Sequence, residues 1–278
     1  MTGSPAGLPV ARTVCPMQGI CDDLTAEHAA LDAVVAPLTE AEWHQSTPAK
    51  GWDIADCIGH LWFFDQRATM ALDPATADAF VADASQLMEA ASQGRDLASE
   101  AGRAHTPSSL LAAWRADRAT LLDLARRSDP SARIPWYGPA MAARSFITAR
   151  LMETWAHGQD VRDALGLPPE VSMRLKHVAH IGVRARPFAY ANNRRELPAR
   201  EVRVELLAPN GEVWSWGESD TDTVTGTAID FCLMVTQRRH VLDTDLRVTG
   251  PLAEDWISIA QAFAGPPGPG RKPGEFRS

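Results

Sequence analysis

Cysteine is scarce in this sequence, with four residues among 278. Cys15, Cys21, Cys57 and Cys232 form neither a CxxC pair nor the paired spacing of a zinc knuckle. A chain of this length can bury a sizeable hydrophobic core without disulfide cross-links. We therefore expect reduced thiols.

Long apolar runs and an excess of positive charge are also missing. No run reaches the roughly 18 apolar residues of a membrane-spanning helix, and the first 20 residues contain no apolar signal core. The chain carries 27 Lys and Arg against 35 Asp and Glu, a net charge of −8, which disfavours nucleic acid and anionic lipid as partners. The composition predicts a cytoplasmic globular protein that acts on a small molecule as a monomer or homodimer, without nucleic-acid or membrane partners.

The two ends of the chain have a composition typical of loops. Residues 1–17 are rich in Gly, Pro, Ala and Ser and predict a flexible N-terminal extension. Residues 265–270 read Gly-Pro-Pro-Gly-Pro-Gly, which cannot continue a helix. They predict a flexible tail over residues 266–278, so we expect the function to lie between the two ends.

Residues 18–168 follow a helical pattern, with apolar side chains recurring at intervals of three and four. The second of four long helices is predicted to begin at Trp52-Asp53, where the Asp53 carboxylate can cap the free amides. The third begins at Pro107-Ser108. The four long helices are predicted near residues 24–35, 53–64, 107–128 and 140–165, with a further helix at about 76–93. This pattern predicts an all-α four-helix bundle.

Residues 169–265 change in character and predict a small α+β domain. Val202, Val204 and Leu206 alternate with charged residues, and the turn Pro209-Asn210-Gly211 leads to a second strand at 213–216. These features predict a β-hairpin. The other predicted elements are a helix at 171–189, an apolar helix at 227–235, a short strand at 246–248 and a closing helix at 252–263.

One pair of residues in the fourth helix carries the clearest chemical signal. Glu153 and His157 are four residues apart, so a carboxylate and an imidazole project from the same helical face and can bind one cation. An exposed polar pair has the same spacing. Leu151, Met152 and Trp155 make the segment apolar, however, and an unpaired buried carboxylate is costly.

A third ligand is predicted on another helix, and His60 is the candidate. It lies in the apolar stretch Ile58-Gly59-His60-Leu61-Trp62, where a hydrogen-bonded core histidine is the alternative. Two imidazoles and one carboxylate suit zinc with an open position, and equally Fe(II), Ni(II) or Mn(II). A cation there can polarise a carbonyl, or bind a thiol or water as its anion.

Three segments around these residues resemble the DinB-like metalloenzyme superfamily, and more closely the actinobacterial mycothiol-dependent maleylpyruvate isomerase group. They are Gly51-Trp52-Asp53, Gly59-His60-Leu61 and 152–162. The resemblance covers about residues 18–265. It implies a four-helix bundle that presents His60, Glu153 and His157 to zinc, followed by a small α+β domain similar to sterol carrier proteins. A subgroup of metal-binding proteins also shares the segments 136–139, 214–217 and 263–268.

Other residues are predicted near this site. Asp160 follows His157 by three residues. Its carboxylate can accept a proton from His157 or form a salt bridge with Arg162. Trp52 and Trp155 are candidates for the pocket wall, although core packing is the alternative for both. The substrate arginines of the isomerase have no assignable counterparts, so Arg67, Arg150 and Arg238 are only candidates; a surface salt bridge is the commoner fate of Arg150.

Cys57 can face the metal as a ligand or reactive thiol, or pack as a small hydrophobe. His177 and His180 are three residues apart, but no carboxylate or thiolate joins them in the sequence, and we assign them to a structural helix. His28, His44, His105 and His240 have no partners that the sequence identifies.

Three functions are compatible with these residues. In the first, the metal activates mycothiol or a substrate oxygen for isomerisation or S-transfer on a small organic substrate. In the second, the metal acts without a thiol as a Lewis acid in isomerisation, cyclisation or hydrolysis of a hydrophobic carbonyl compound, as in secondary metabolism. In the third, the chain is a non-catalytic protein that binds a small ligand or a metal.

Overall fold

The computed structural model describes residues 16–138 and 140–276 of the chain. The predicted N-terminal extension therefore lies outside the described residues, apart from its last two. Within the described ranges the chain is mostly helical, with eleven α-helices, six short strands and one 3-10 turn. None of these helices combines the length and the apolar character that a membrane span requires.

The N-terminal half of the fold, here called the helical part (residues 16–164), is organised around four long helices. Helices α1, α3, α6 and α7 pack on one another, with α3 against α6 and α7, and α1 against α6 and α7. The bounds of the elements are α1 Pro16–Val35, α2 Glu40–Trp43, α3 Ile54–Leu72, α4 Ala77–Ser92, α5 Leu97–Arg103, α6 Pro107–Arg127, β1 Arg133–Ile134, β2 Met141–Ala142 and α7 Ala143–Ala164. The predicted long helices are confirmed. The short α2, α5 and the β1–β2 ribbon were not predicted, since they are too short for apolar periodicity to show.

The start of α3 is fixed by a reciprocal cap, as the sequence predicts. The backbone amide of Asp56 donates to Asp53 Oδ1 at 2.8 Å, and the amide of Asp53 donates to Asp56 Oδ2 at 3.2 Å. Asp56 also accepts two hydrogen bonds from Arg103 of α5, both at 2.8 Å. These contacts set where α3 begins, and with it the position of His60, about two turns after Asp53.

Helices α3 and α5 approach each other through two glycines. A Cβ atom added at Gly59 would lie 3.0 Å from the Cα atom of Gly102, closer than most real Cβ contacts. Because both partners are backbone, neither can move aside without shifting a helix. The residue next to His60 is therefore small because the helices touch there.

We expect Gly59→Ala to lower the free energy of unfolding by about 1–3 kcal/mol, since the added methyl group presses on the Gly102 backbone. Gly158→Ala in α7 is the matched control. Its added methyl group would meet only side-chain atoms of Leu31, at 3.8 Å, and alanine favours a helix. Urea denaturation measures both. Equal stability of Gly59→Ala and the native chain would contradict the close approach.

The C-terminal half, here called the mixed part (residues 175–257), contains helices around one small sheet. Its elements are α8 Leu175–Arg184, α9 Arg186–Asn192, β3 Arg203–Leu207, β4 Val213–Trp216, β5 Thr223–Thr227, α10 Ala228–Val235, β6 Arg247–Thr249 and α11 Pro251–Ile257. The strand order is β4-β3-β5-β6. The predicted hairpin is confirmed, because β3 and β4 pair antiparallel.

Three details of the mixed part differ from the prediction. Strand β5 pairs parallel to β3; it was missed because Val224 is its single large apolar residue. The helix predicted at 171–189 is two helices, α8 and α9, which meet at Ala185. Pro187, two residues later, has no backbone N–H to continue the hydrogen bonds of α8. The closing helix ends at Ile257 rather than 263, since the chain turns so that the Ala262 amide donates to Val235 O at 2.8 Å.

Helix α8 joins the two halves. It packs against α7 of the helical part and against α10 of the mixed part. Its buried residues Leu175, Val178 and Ala179 belong to a hydrophobic core that also includes Trp155 of α7 and Phe231 of α10. One apolar core therefore runs through both halves, and the predicted domain boundary at 168/169 stays a prediction.

Candidate metal centre and its cavity

Three predicted ligands converge where α3 meets α7. His60 of α3 and Glu153 and His157 of α7 each offer one ligand atom, and these atoms lie within 4.8 Å of one another. Glu153 Oε2 is 3.6 Å from His157 Nε2, longer than a hydrogen bond, and the two imidazole rings are 4.6 Å apart. We call these three residues the donor group. The spacing of four residues on α7 and the α3–α7 contact together bring them to one point.

The electrostatics place Glu153 and His60 in the protonation states that bind a cation. For His157, burial alone would lower the pKa, but Asp160 and Glu153 outweigh it and raise the pKa. Burial alone would raise the pKa of Glu153, but the adjacent His157, His60 and Arg150 outweigh it and lower the pKa to about 2. Burial and the charge of His157 hold the pKa of His60 well below its usual value. An ionised carboxylate and a neutral imidazole are therefore present at neutral pH, as metal binding requires.

The other nitrogen of His157 faces Asp160. His157 Nδ1 lies 3.4 Å from Asp160 Oδ2, so Asp160 lies beside His157. Burial alone would raise the pKa of Asp160, but Arg238 and His157 outweigh it and hold this pKa well below the usual range. The alternative partner Arg162 is excluded, because its guanidinium pairs with Glu170 at 2.8 Å.

Two arginines from distant parts of the chain hold Asp160. Arg238, which follows α10, donates to Oδ2 at 2.6 Å, and Arg271 donates to Oδ1 at 2.9 Å. Arg271 also donates to the carbonyl of Pro48, and the Gly274 amide donates to the Asp243 carboxylate at 2.8 Å. Residues 271 and 274 of the predicted flexible tail therefore contact the rest of the chain, and its flexibility stays a prediction. Sequence reasoning missed this contact because Arg271 and Asp160 are 111 residues apart.

The two tryptophan candidates differ in position. Trp52 stacks on His157 with ring centroids 5.5 Å apart and lies 5.1 Å from His60, so it covers one side of the donor group. Trp155 is not among the residues that line the cavity described below, and it takes the alternative position in the core. It is buried in the core and donates through Nε1 to Glu170 O at 3.1 Å, since a residue two positions from Glu153 points to the opposite face of α7.

Arg150 lies at the cavity described below, but it is not free. Its guanidinium is buried and paired with Asp65 at 2.9 Å, so the expected surface salt bridge is instead a buried one. Arg67 pairs with Asp83 at 3.0 Å and is absent from the cavity wall. Of the three arginine candidates, Arg150 and Arg238 contact the cavity.

A second group of donors shares His157. Cys57, His157 and Asp160 offer ligand atoms within 4.8 Å of one another. Burial and the charge of Asp160 raise the pKa of the Cys57 thiol well above its usual value, and Asp160 is already neutralised by two arginines. This group is therefore the poorer cation site. Among the described residues, the six other histidines join no group of three donors.

A large cavity opens beside the donor group, between the helical and the mixed parts. Its volume is about 1370 Å³, and all three donor residues contact it. Apolar and aromatic side chains form much of its wall. They include Phe64, Trp136, Met141, Ile181, Trp216 and Phe263. The segments Trp136-Tyr137 and Trp214-Ser215-Trp216, noted in the sequence, thus contribute residues to one cavity. A concave, mostly apolar cavity with a few converging polar groups is typical of a small-molecule site.

Comparisons with known proteins identify the family of this chain. The family model described as the mycothiol maleylpyruvate isomerase N-terminal domain matches residues 24–162. Two relatives in Mycobacterium tuberculosis are uncharacterized proteins, MT0041 of strain CDC 1551 / Oshkosh and Rv0036c of strain ATCC 25618 / H37Rv. Each is 46% identical over 255 residues, which cover 90% of this chain and 96% of the relative.

Two solved structures have a similar fold. They are the mycothiol-dependent maleylpyruvate isomerase and a mutant of it, with TM-scores of 0.52 and 0.51. Both are 13% identical and cover 81% of this chain and 90% of the solved chain. At this identity the likeness concerns the fold alone. The family match and the two M. tuberculosis relatives show that this chain belongs to the mycothiol maleylpyruvate isomerase family.

Proposed function

We propose that the donor group holds a divalent metal, most simply zinc, and that the chain is a metal-dependent enzyme acting with a thiol on a small organic substrate. Fe(II), Ni(II) and Mn(II) suit the same ligands. The observation that carries the proposal is the convergence of two imidazoles and one ionised carboxylate at the wall of a large cavity. The reaction is isomerisation or S-transfer, with mycothiol as the thiol.

A divalent cation in such a site lowers the pKa of a bound thiol or water and polarises a substrate oxygen. The residues of the chain supply the rest. Asp160 lies beside Nδ1 of His157 and favours the ring orientation in which Nε2 faces Glu153. Trp52 covers the two histidine rings and keeps water from that side. Glu153 supplies the negative charge of the donor group.

The thiol is expected to come from outside the chain. The described cysteines, Cys21, Cys57 and Cys232, are all buried, and burial raises the pKa of Cys57 and Cys232 well above the usual value. Buried thiols of this kind are poor nucleophiles. An external thiol agrees with the family, whose model and solved structures name mycothiol.

Titration calorimetry with mycothiol tests the thiol branch. We expect the zinc-loaded protein to bind mycothiol and the chelator-treated protein to lose that binding. S-methyl mycothiol is the matched control, because it keeps the sugar and loses the ionisable thiol. Absence of mycothiol binding by the loaded protein would overturn this branch.

The apolar wall of the cavity supports a second candidate. A thiol-independent isomerase, cyclase or hydrolase of a hydrophobic carbonyl compound, as found in secondary metabolism, would use the same donor group with apolar contacts to the substrate. Turnover of such a compound in the absence of any thiol would favour it. A non-catalytic binding protein is the third possibility, and loss of a measured reaction in Glu153→Gln would exclude it.

The finer architecture belongs to the same proposal. We propose that the helical part is a four-helix bundle of the DinB-like type over residues 18–168. Residues 169–265 would then be a sterol-carrier-like domain. The packing of α1, α3, α6 and α7 and the order of the four-stranded sheet support this division. A cytoplasmic location and a monomeric or homodimeric state complete it.

We expect Asp160→Asn to weaken zinc binding by about 10- to 100-fold, because partners that orient a ligating histidine have effects of this size. Asp163→Asn is the matched control. Asp163 is also buried and paired with an arginine, Arg239 at 2.7 Å, but it joins no donor group. Competition titrations against a zinc chelator measure both. Equal losses in the two variants would contradict a specific role for Asp160.

A further inference from the structure

The wall of the cavity is strongly positive, although the whole chain is negative. Among the described lining residues, six side chains carry a permanent positive charge: Arg133, Arg144, Arg150, Lys176, Arg184 and Arg238. Glu153 is the single carboxylate among them. The net charge of the chain is −8, so this excess of cations is local to the cavity. Clefts lined by one sign of charge concentrate ligands of the opposite sign.

Two buried cations of the wall have partners, whereas the exposed Arg144 and Arg184, here called the rim, have none in the part of the chain that the structure describes. Arg150 pairs with Asp65, and Arg238 with Asp160. Arg144 and Arg184 are exposed and form no side-chain ion pair or hydrogen bond within residues 16–138 and 140–276. Their positive charges therefore stay available to a ligand.

Two cations and a histidine lie along one side of α8. Lys176, His180 and Arg184 follow at intervals of four, which places them along one stripe of the helix. The pKa of His180 is lowered by burial and by the charges of Arg184, His177 and Arg144. His180 Nδ1 accepts a hydrogen bond from Trp216 Nε1 at 3.2 Å, and His177 is paired with Asp23. The rim is thus a positive surface next to an aromatic ring.

Helix α7 gives the axial rise between Arg144 and the donor residue Glu153. Arg144 precedes Glu153 by nine residues, which is about 14 Å along the helix axis. Ala149 and Met152 lie between them on the cavity wall. Met88 and Phe188 also line the cavity and are 62% and 38% exposed. The part of the cavity between Arg144 and the donor group is therefore bounded by apolar side chains that a ligand can cover.

Building on the proposed function, we infer that the substrate is an elongated amphipathic anion. Its carboxylate, sulfonate or phosphate group binds Arg144 and Arg184 at the rim. Its apolar body lies along Ala149 and Met152, and its reacting group reaches the donor group, about 14 Å further along α7 by axial rise. The cavity of about 1370 Å³ exceeds the roughly 300–1,000 Å³ of ordinary ligand pockets, which fits a long ligand.

Fluorescence titration with two matched probes tests this inference. The probes are 8-anilinonaphthalene-1-sulfonate, which is anionic, and N-phenyl-1-naphthylamine, which has the same aromatic body without the sulfonate. We expect Arg144→Gln/Arg184→Gln to weaken binding of the anionic probe at least about tenfold and to leave the neutral probe unchanged. The effect should shrink at high salt, since the rim is exposed.

Two further variants make the result specific. Arg194→Gln/Arg247→Gln removes the same charge from exposed positions outside the cavity wall, and we expect native affinity for both probes. Ala149→Trp fills the space between the rim and the donor group, and we expect both probes to lose affinity. Native affinity of Ala149→Trp for both probes, or equal losses in the two double arginine variants, would overturn the inference.

Metal content, measured on the same samples by elemental analysis, separates this inference from the proposed function. Metal bound in all variants, with a loss of the anionic probe only in Arg144→Gln/Arg184→Gln, supports both. Metal bound, with unchanged probe binding in that variant, overturns the anionic substrate and leaves the metal proposal standing. Rim-dependent probe binding in a native protein that takes up no metal supports the anion site and overturns the metal proposal.

Discussion

Replacing Glu153 with glutamine is expected to lower the affinity of the protein for zinc by more than about 100-fold. Glutamine keeps the size of the side chain and removes the single negative charge of the donor group. Loss of a partner that merely orients a ligand costs about 10- to 100-fold, so loss of a charged ligand costs more. A chelator competition titration at neutral pH measures the change, and any metal-dependent turnover is expected to fall with it.

The control for this substitution is Glu170→Gln. Glu170 is also a partly buried carboxylate close to α7, but it pairs with Arg162 at 2.8 Å and Arg174 at 3.3 Å and belongs to no donor group. We expect native zinc affinity. If Glu153→Gln bound zinc as tightly as the native chain, Glu153 would not be a ligand and the proposed set of three ligands would be wrong.

The second large effect is expected in the stability of the helical part. Asp65 of α3 is fully buried and accepts hydrogen bonds from Arg150 at 2.9 Å and Trp114 at 3.1 Å. Burial raises the pKa of Asp65, although the charge of Arg150 opposes this. Asp65→Ala leaves the Arg150 guanidinium buried without its carboxylate. We expect a loss of about 3–5 kcal/mol in the free energy of unfolding, the usual effect of removing one partner of a buried pair.

A double variant separates the lost pair from the lost volume. Asp65→Ala/Arg150→Met removes both charges, and we expect it to recover much of the stability that Asp65→Ala loses, because replacing a whole buried ion pair is often neutral. Urea denaturation of the native chain, both single variants and the double variant completes the cycle. Strictly additive losses would contradict an energetic coupling between Asp65 and Arg150.

The helices and the three donor residues could be predicted because their signals are local. The cap at Asp53, the proline at 107 and the apolar spacing of three and four residues each act within one helix. Glu153 and His157 share a face of α7 through their spacing alone. His60 needed a second argument, its apolar surroundings and its small neighbour. The glycine at 59 is explained by the contact with Gly102.

The contacts that complete the site depend on distant parts of the chain and left no local signal. Arg271 reaches Asp160 across 111 residues from a segment whose composition predicts a loop. By contrast, Trp155 carries the same chemistry as Trp52 but faces the core, a position that its spacing of two residues from Glu153 could have indicated. Strand β5 pairs with β3 through backbone hydrogen bonds. Its side chains are mostly polar, so its sequence lacks the apolar alternation that predicts a strand.

The central claim is that His60, Glu153 and His157 bind a divalent metal. Its most direct test is elemental analysis of the chain purified without a His-tag, for the native sequence, His60→Ala, His157→Ala and the control His105→Ala. We predict a near-stoichiometric divalent metal in the native chain and in His105→Ala, and its loss in the two other variants. Absence of metal from the native chain, even after zinc addition, would contradict the claim and leave these residues as a structural cluster.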